Sequence, residues 1–235
     1  MPDHYIDIHN HLLAGIDDGA KTTENTNALI SGMKELNISG AITTPHTFHG
    51  LWDNSISSIK DAHEIAIETS SNATFLKGYA SEYFLDTTLL ARIKKEKLLC
   101  LKDDYVLVEF HLFNNQLNRD EMLFELKAKG YDIIIAHPER YVYFHNDLKK
   151  FSKLKESGVD FQLNLLSLTG YYGKEIQNMA EKLLENDMYD FTGTDIHHQK
   201  HLDHLTKKPI LFSKRNKIGD LLQKNAFFNN SKSTD

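Results

Sequence analysis

The chain has one cysteine, Cys100, among 235 residues. That excludes an intrachain disulfide and fits a reducing compartment. No apolar run approaches the about 18 residues of a membrane-spanning helix. No basic leader followed by an apolar stretch opens the sequence, so no signal peptide is expected and a cytoplasmic location is. Arginine is scarce, limited to Arg92, Arg119, Arg140 and Arg215, and the formal charge is -6. An acidic chain of this kind has no general grip on a nucleic-acid backbone, so nucleic acid is not expected as a partner. There is no repeat, low-complexity block or Pro/Gly/Ser-rich linker. We therefore expect one domain over residues 1–228, with a polar tail at 229–235.

Histidine, by contrast, is abundant, with 13 copies. Its placement follows an alternation of apolar strands and amphipathic helices. Strands are expected at 5–9, 41–44, from Thr74 towards Glu82, 105–108, 133–136, 159–163 and 189–192. Helices between them are marked by Leu29, Met33 and Leu36, by 56–69, by Leu89, Leu90 and Ile93, and by a segment starting near Asn118. That segment carries Glu121 in a capping-box position and stops at Gly130. Later helices are marked by Leu148, Phe151 and Leu154, and by Ile176, Met179 and Leu183. Strands alternating with helices argue for a parallel sheet, and this many units favour a closed barrel over an open doubly wound sheet.

The ends of these strands carry the chemistry. The first ends in His9-Asn10-His11 with Asp17-Asp18-Gly19 just beyond. In a strand, residues two apart share a face, so His9 and His11 project together. The later ends supply His46, Glu82, Glu109, His137, Asn164, and Asp195 with His197, each about one strand–helix unit after the last. In a barrel all of them meet at one mouth. Nine metal-competent side chains gathered there (His9, His11, Asp18, His46, Glu82, Glu109, His137, Asp195, His197) would be a costly cluster without cations. Mixed imidazole and carboxylate ligation suits several divalent ions.

Together, His9-Asn10-His11, Asp17-Asp18-Gly19-Ala20-Lys21, Thr44-Pro45-His46, Glu82, Glu109-Phe110, Ala136-His137-Pro138-Glu139-Arg140 and Thr194-Asp195-Ile196-His197 resemble the polymerase-and-histidinol-phosphatase (PHP) superfamily. Within it, they are most similar to the metal-dependent protein-tyrosine phosphatases of capsule and exopolysaccharide synthesis. The resemblance spans about residues 5–200, with the motifs in family order. It implies a distorted TIM-like (β/α)7 barrel, the PHP fold, and three divalent metal ions of the Mn, Fe, Zn or Mg kind. His9, His11, Glu82 and Asp195 would serve the first ion, with Glu82 bridging to a second that adds Glu109 and His137. Asp18, His46 and His197 would serve the third.

Four carboxylates against three such ions leave a net positive charge, which a phosphomonoester dianion complements. The implied chemistry is attack on phosphorus by a hydroxide that the metals acidify and bridge, with Arg140, His137 and Asp195 as the catalytic set. Arg140 is the expected phosphate clamp, since its planar fork suits two phosphate oxygens; a salt bridge to Glu139 is its alternative role. Phe48, Leu51 and Trp52 are candidates to pack on a substrate ring or to cover the rim, as are Tyr141 and Tyr143. Relatives often carry a second basic residue after Asp195-Ile196-His197. Here Lys200 or a nearby histidine is the substitute, and His198, His201 and His204 otherwise read as a solvated helix face. Cys100 sits in no Cys-x5-Arg loop, so thiol chemistry is unsupported.

The expected substrate is a phosphotyrosine protein, namely the tyrosine-rich tail of a bacterial tyrosine kinase that controls polysaccharide assembly. The alternatives are a histidinol-phosphatase-like enzyme on a small phosphomonoester and a catalytically silent PHP binding module. A PHP nuclease role is disfavoured by the acidic charge.

Overall fold

The computed structural model describes residues 5–70, 72–207 and 215–230. Residues 231–235 of the expected tail lie outside them. The described residues form nine parallel strands and eight α-helices. The strands are β1 (Ile6–Asp7), β2 (Gly40–Thr43), β3 (His46–Thr47), β4 (Leu76–Tyr79), β5 (Glu82–Phe84), β6 (Tyr105–Glu109), β7 (Asp132–Ala136), β8 (Asp160–Asn164) and β9 (Phe191–Gly193). The helices are α1 (Thr23–Glu35), α2 (Ile56–Thr69), α3 (Thr87–Arg92), α4 (Arg119–Ala128), α5 (Leu148–Glu156), α6 (Lys174–Glu185), α7 (Gln199–Lys207) and α8 (Arg215–Lys224).

The regular ladders make two sheets, β1-β2-β4 and β3-β5-β6-β7-β8-β9. β3 continues the path of β2, and β5 that of β4, because Ala80 N–H donates to Thr43 and Glu82 N–H to Pro45. The ring is joined beyond β1: Asp195 N–H donates to the His9 carbonyl at 2.7 Å and His11 N–H to that of Ile196 at 2.9 Å. Thr44 N–H donates to Asn10 on the other side at 3.0 Å. Seven strand positions thus run in a circuit, and the circuit is tied at the mouth where the strands end.

Alternation along the strands sorts side chains into two layers. Val106, Val108, Ile133 and Ile135 point outward into the main core against the helices. Ile6, Ile8, Ile42, Leu107, Ile134 and Ala136 point inward and fill the ring, with Phe228 among them. This filled interior is why polar side chains can converge only at the open end.

Side-chain caps open α1, α2, α3 and α5. Ser55 and Ser58 form a reciprocal cap on α2, and Asp86 accepts from Thr88 and Leu89 N–H at the start of α3. Two expectations fail. Asn118 makes no side-chain capping bond, so the cap expected with Glu121 is absent from α4. Residues 73–75 form a 3-10 turn rather than opening a strand, and the strand starts at Leu76. The turn after α8 also ties the ring: Asn225 Nδ2 donates to the carbonyls of Ile6 and Thr192 at 2.9 and 2.8 Å, sealing the ring's other end.

Candidate metal centre

His9 and His11 lie just past the two-residue β1, where the chain bends at His9 and is then tied to its neighbours by the bonds to Thr44 and Ile196. Asn10 faces the other way and donates from Nδ2 to the Ile42 carbonyl at 3.0 Å, which fixes both imidazoles inward. The chain is crowded here. A Cβ on Gly19 would stand 2.2 Å from the His11 carbonyl oxygen, and one on Gly193 2.6 Å from the His9 Cβ. Two ligand candidates, His137 (φ 35) and Asp195 (φ 52), hold the left-handed conformation that non-glycine residues rarely adopt. The turn aims each side chain across the mouth, and such strain gathers at functional sites.

All nine candidate ligands meet at this end. His9 Nε2 is 3.1 Å from Glu82 Oε2 and 3.3 Å from Asp195 Oδ1. His11 Nε2 is 3.4 and 3.3 Å from the same two oxygens. His137 Nε2 is 3.1 Å from Glu82 Oε1 and 3.9 Å from Glu109 Oε2. Asp18 Oδ1 stands 3.3 Å from His197 Nε2 and 3.6 Å from His46 Nε2. His46 has a double position, because its Nδ1 also lies 3.1 Å from Glu82 and 3.3 Å from Glu109. Three overlapping groups could each hold a metal ion: His9, His11, Glu82 and Asp195; His46, Glu82 and Glu109; and His11, Asp18, His46 and His197.

These residues fit cations better than they fit one another. His9 Nε2, His11 Nε2, His46 Nδ1 and Glu82 Oε2 are buried with no hydrogen-bond partner, an arrangement that costs free energy unless a ligand completes it. Their mutual spacings match the about 3.3 Å between ligand atoms that tetrahedral bonds of 2.0–2.1 Å would give. The opposite ring nitrogens are held: His9 Nδ1 by Gln162 Oε1 at 2.8 Å, His11 Nδ1 by Asp17 Oδ2 at 2.7 Å, and His197 Nδ1 by the Asp195 carbonyl at 2.9 Å. Donating from Nδ1 leaves the Nε2 lone pair free for a metal.

The electrostatics agree. Burial opposes charge on His9, yet Glu82 and Asp195 outweigh it and hold the imidazole up at about 9. Burial also opposes charge on Glu82, but His9 and His46 keep that carboxyl well below its usual range. Glu109 goes the other way, raised by burial and by the neighbouring Glu82. Cations at the centre would take over the role of the imidazole protons and let every carboxylate ionise.

The ligand candidates open into a cavity of about 540 Å³. One wall is aromatic: the rings of Phe48 and Phe84 stack at 3.9 Å, and Trp52 stacks on His46 at 4.7 Å. Leu51 lies on the same rim. Opposite, Arg140 Nη1 donates to Asp195 Oδ2 at 2.9 Å while its guanidinium lies over the Tyr172 ring at 4.4 Å. Glu139 is not its partner; that carboxylate is buried and accepts from Tyr189 Oη and Asn164 N–H at 2.9 and 3.0 Å. Asn164 Nδ2 in turn donates to Asp195 Oδ2 at 2.9 Å.

Other candidates fall elsewhere. Lys200 is exposed in an adjoining depression beside Lys21 and Gln199. His198 and His201 do line the cavity. His201 is buried rather than on a solvated face, with its ring edge-on to Tyr171 at 4.7 Å. Tyr141 is structural: its hydroxyl donates to the Ala136 carbonyl at 2.8 Å and accepts from Phe110 N–H at 3.0 Å. Asp17, Gln162 and Tyr172 were given no role from sequence. For Asp17 the signal was there, a second carboxylate beside Asp18 and one loop from His11. Gln162 and Tyr172 carried none, since only the fold brings them to the site.

Known proteins place these features in a family. The Bacillus subtilis tyrosine-protein phosphatase YwqE is 28% identical over 200 residues, 83% of this chain and 78% of that protein. The Streptococcus pneumoniae tyrosine-protein phosphatase CpsB is 27% identical over 202 residues, 82% of each. A crystal structure from work on YwqE and CpsB, described there as unique metal-dependent tyrosine phosphatases, superposes with a TM-score of 0.81 at 24% identity, covering 97% of this chain and 96% of the other. A phosphotriesterase homology protein from Escherichia coli superposes with a TM-score of 0.54 at 12% identity, over 97% and 99% of the two chains. These superpositions carry the barrel-like fold. The model of the capsular polysaccharide synthesis family CpsB/CapC matches residues 5–234, and the chain belongs to that family.

Proposed function

We propose that this protein is a metal-dependent phosphomonoesterase acting on phosphotyrosine in proteins. Its substrate in this reading is a bacterial tyrosine kinase of capsule or exopolysaccharide synthesis, met in the cytoplasm. Among the described residues, no helix is long and apolar enough to cross a membrane. The observation that carries the reading is the set of unpartnered imidazole and carboxylate atoms converging beneath an aromatic-walled cavity. Membership of a family whose named relatives are tyrosine phosphatases supports it.

In this reading His9, His11, Glu82 and Asp195 hold one ion. Glu82, Glu109 and His137 hold a second, and Asp18, His46 and His197 a third. Divalent ions of the Mn, Fe, Zn or Mg kind would neutralise the ester's charge and acidify water enough to supply a nucleophile at neutral pH. The protein's own groups do the rest. Arg140, steadied by Asp195 and by stacking on Tyr172, presents its free guanidinium edge to phosphate oxygens. Burial pushes the Tyr172 hydroxyl well above its usual range, so it stays a phenol beneath the guanidinium. Phe48, Phe84 and Trp52 offer flat faces to the phenyl ring. A phenolate with a pKa of about 10 leaves without strong acid assistance.

The test is substrate choice. Wild-type protein loaded with metal should turn over a phosphotyrosine peptide and p-nitrophenyl phosphate far faster than histidinol phosphate, and His137→Ala should lose about 100-fold or more on both aryl esters. Preference for the alkyl ester, or equal rates in the variant, would sink the proposal.

A further inference from the structure

Apart from the cavity above the ligand candidates, a groove of about 450 Å³ runs between α4 and α5. Leu123, Phe124, Phe144 and Leu154 give it an apolar floor. Phe124 stays 69% exposed beside that floor and extends its apolar surface. The rim is basic, carrying Arg119, Lys127, Lys150 and Lys153 against one carboxylate, Asp120. On a chain whose net charge is -6, that concentration runs against the whole.

Asp120 pairs with Arg119 at 2.6 Å and offsets it. Lys127 donates to the carbonyls of Ser157 and Gly158 at 2.8 and 2.9 Å, and Lys150 to that of Tyr143 at 3.2 Å. Those partners are neutral, so they fix the ammonium groups without cancelling their charge. The lysine ion pairs seen among the described residues are those of Lys97, Lys155 and Lys217. Lys127, Lys150 and Lys153 therefore edge the groove with no carboxylate of their own.

The groove adjoins the cavity. The Arg119 guanidinium lies 5.7 Å over the Phe110 ring and 5.0 Å over Phe144. Phe110 lines the cavity and Phe144 the groove, so one side chain's width separates the two.

We propose that the α4/α5 groove is a docking site for an acidic peptide segment carrying an apolar or aromatic side chain. The acidic groups meet the three lysines, and the apolar group covers Phe124 and Leu123. That this segment belongs to the polypeptide whose phosphotyrosine enters the cavity rests on the function proposed above; the groove's chemistry does not. A long polyanion is the poorer fit. Beyond about 10 Å it meets the chain's net negative charge, whereas a short acidic stretch feels the local rim.

The experiment is fluorescence anisotropy with a labelled, unphosphorylated peptide of Glu and Asp residues interrupted by Leu and Phe. Its control has Lys in place of the acids. The acidic peptide should bind the full chain and be released at high salt. Lys150→Glu combined with Lys153→Glu, and separately Phe124→Ser, should each weaken it about tenfold. Hydrolysis of p-nitrophenyl phosphate, which needs only the cavity, should be unchanged, and this confirms that the variants fold. Equal binding by wild type and variants, equal binding of the Lys peptide, or tighter binding of an oligothymidylate would overturn the proposal. Groove-dependent binding by a protein that hydrolyses no aryl phosphate would instead remove the phosphatase reading and leave the docking site standing.

Discussion

Asp17 is fully engaged although it is not among the nine ligand candidates. Its Oδ2 accepts from His11 Nδ1 at 2.7 Å and from His46 N–H at 3.1 Å, and its Oδ1 from Gly19 N–H at 2.8 Å. One carboxylate thus sets the tautomer of His11, the path of the chain at His46 and the turn that presents Asp18. Burial opposes its charge, but His11 and His46 hold it far below the ordinary carboxylate range. Asp17→Asn should preserve the shape while weakening its hold on the imidazole. A loss of 10–100-fold in metal affinity is expected, measured by competition with a chelator, with little change in thermal midpoint. Unchanged affinity would show that the His11 orientation comes from packing alone.

Among the elements, α2 carries a built-in sensitivity to acid. His63 is buried against Tyr79, with ring centroids 5.0 Å apart and its Nδ1 unpartnered. Burial pushes its imidazole down from 6.5 to about 4. The unfolded chain takes up a proton below 6.5 while the folded one does not until about 4, so this contribution is complete above 6.5 and is lost as pH falls through that window. His63→Gln should flatten the fall in urea midpoint across it; a slope identical to wild type would contradict the assignment. Elements of this kind were legible in advance where one face had to be buried: the 56–69 span of α2 was read from apolar spacing alone. The failures have a common cause. Residues 73–75 are apolar enough for a strand, but a 3-10 turn is what brings Leu76 into register with Ala41. Asn118 has the right chemistry for a cap, yet its backbone (φ -99, ψ 15) departs from the extended shape a capping side chain needs. Tertiary placement overrode local preference in both.

For the molecule as a whole, the site was more readable than its supports. Ligand candidates recur in six of the seven strand–helix units, so the order of the chain announces the mouth of the ring. Gln162, Tyr172 and the α4/α5 groove are assembled across elements distant in sequence and leave no local signal. Phe228 belongs with them. It is fully buried among the starts of the strands, 5.0 Å from the Phe191 ring and 6.0 Å from that of Tyr105. Phe228→Ala should cost about 3–5 kcal/mol of stability, read from urea unfolding. Because that end lies opposite the mouth, the protein that remains folded should keep its turnover rate; a lost rate at unchanged stability would contradict this division between supporting end and working end.

The central claim, a phosphomonoesterase built on a cluster of divalent ions, is tested most directly by one titration. Chelator-treated protein is reloaded with Mn, Fe, Zn or Mg while bound metal and p-nitrophenyl phosphate hydrolysis are followed together. The account predicts an inactive apoprotein and activity that returns as metal fills sites removed by His9→Ala or Glu82→Ala. Hydrolysis that persists without metal, or metal uptake unaffected by both substitutions, would contradict it.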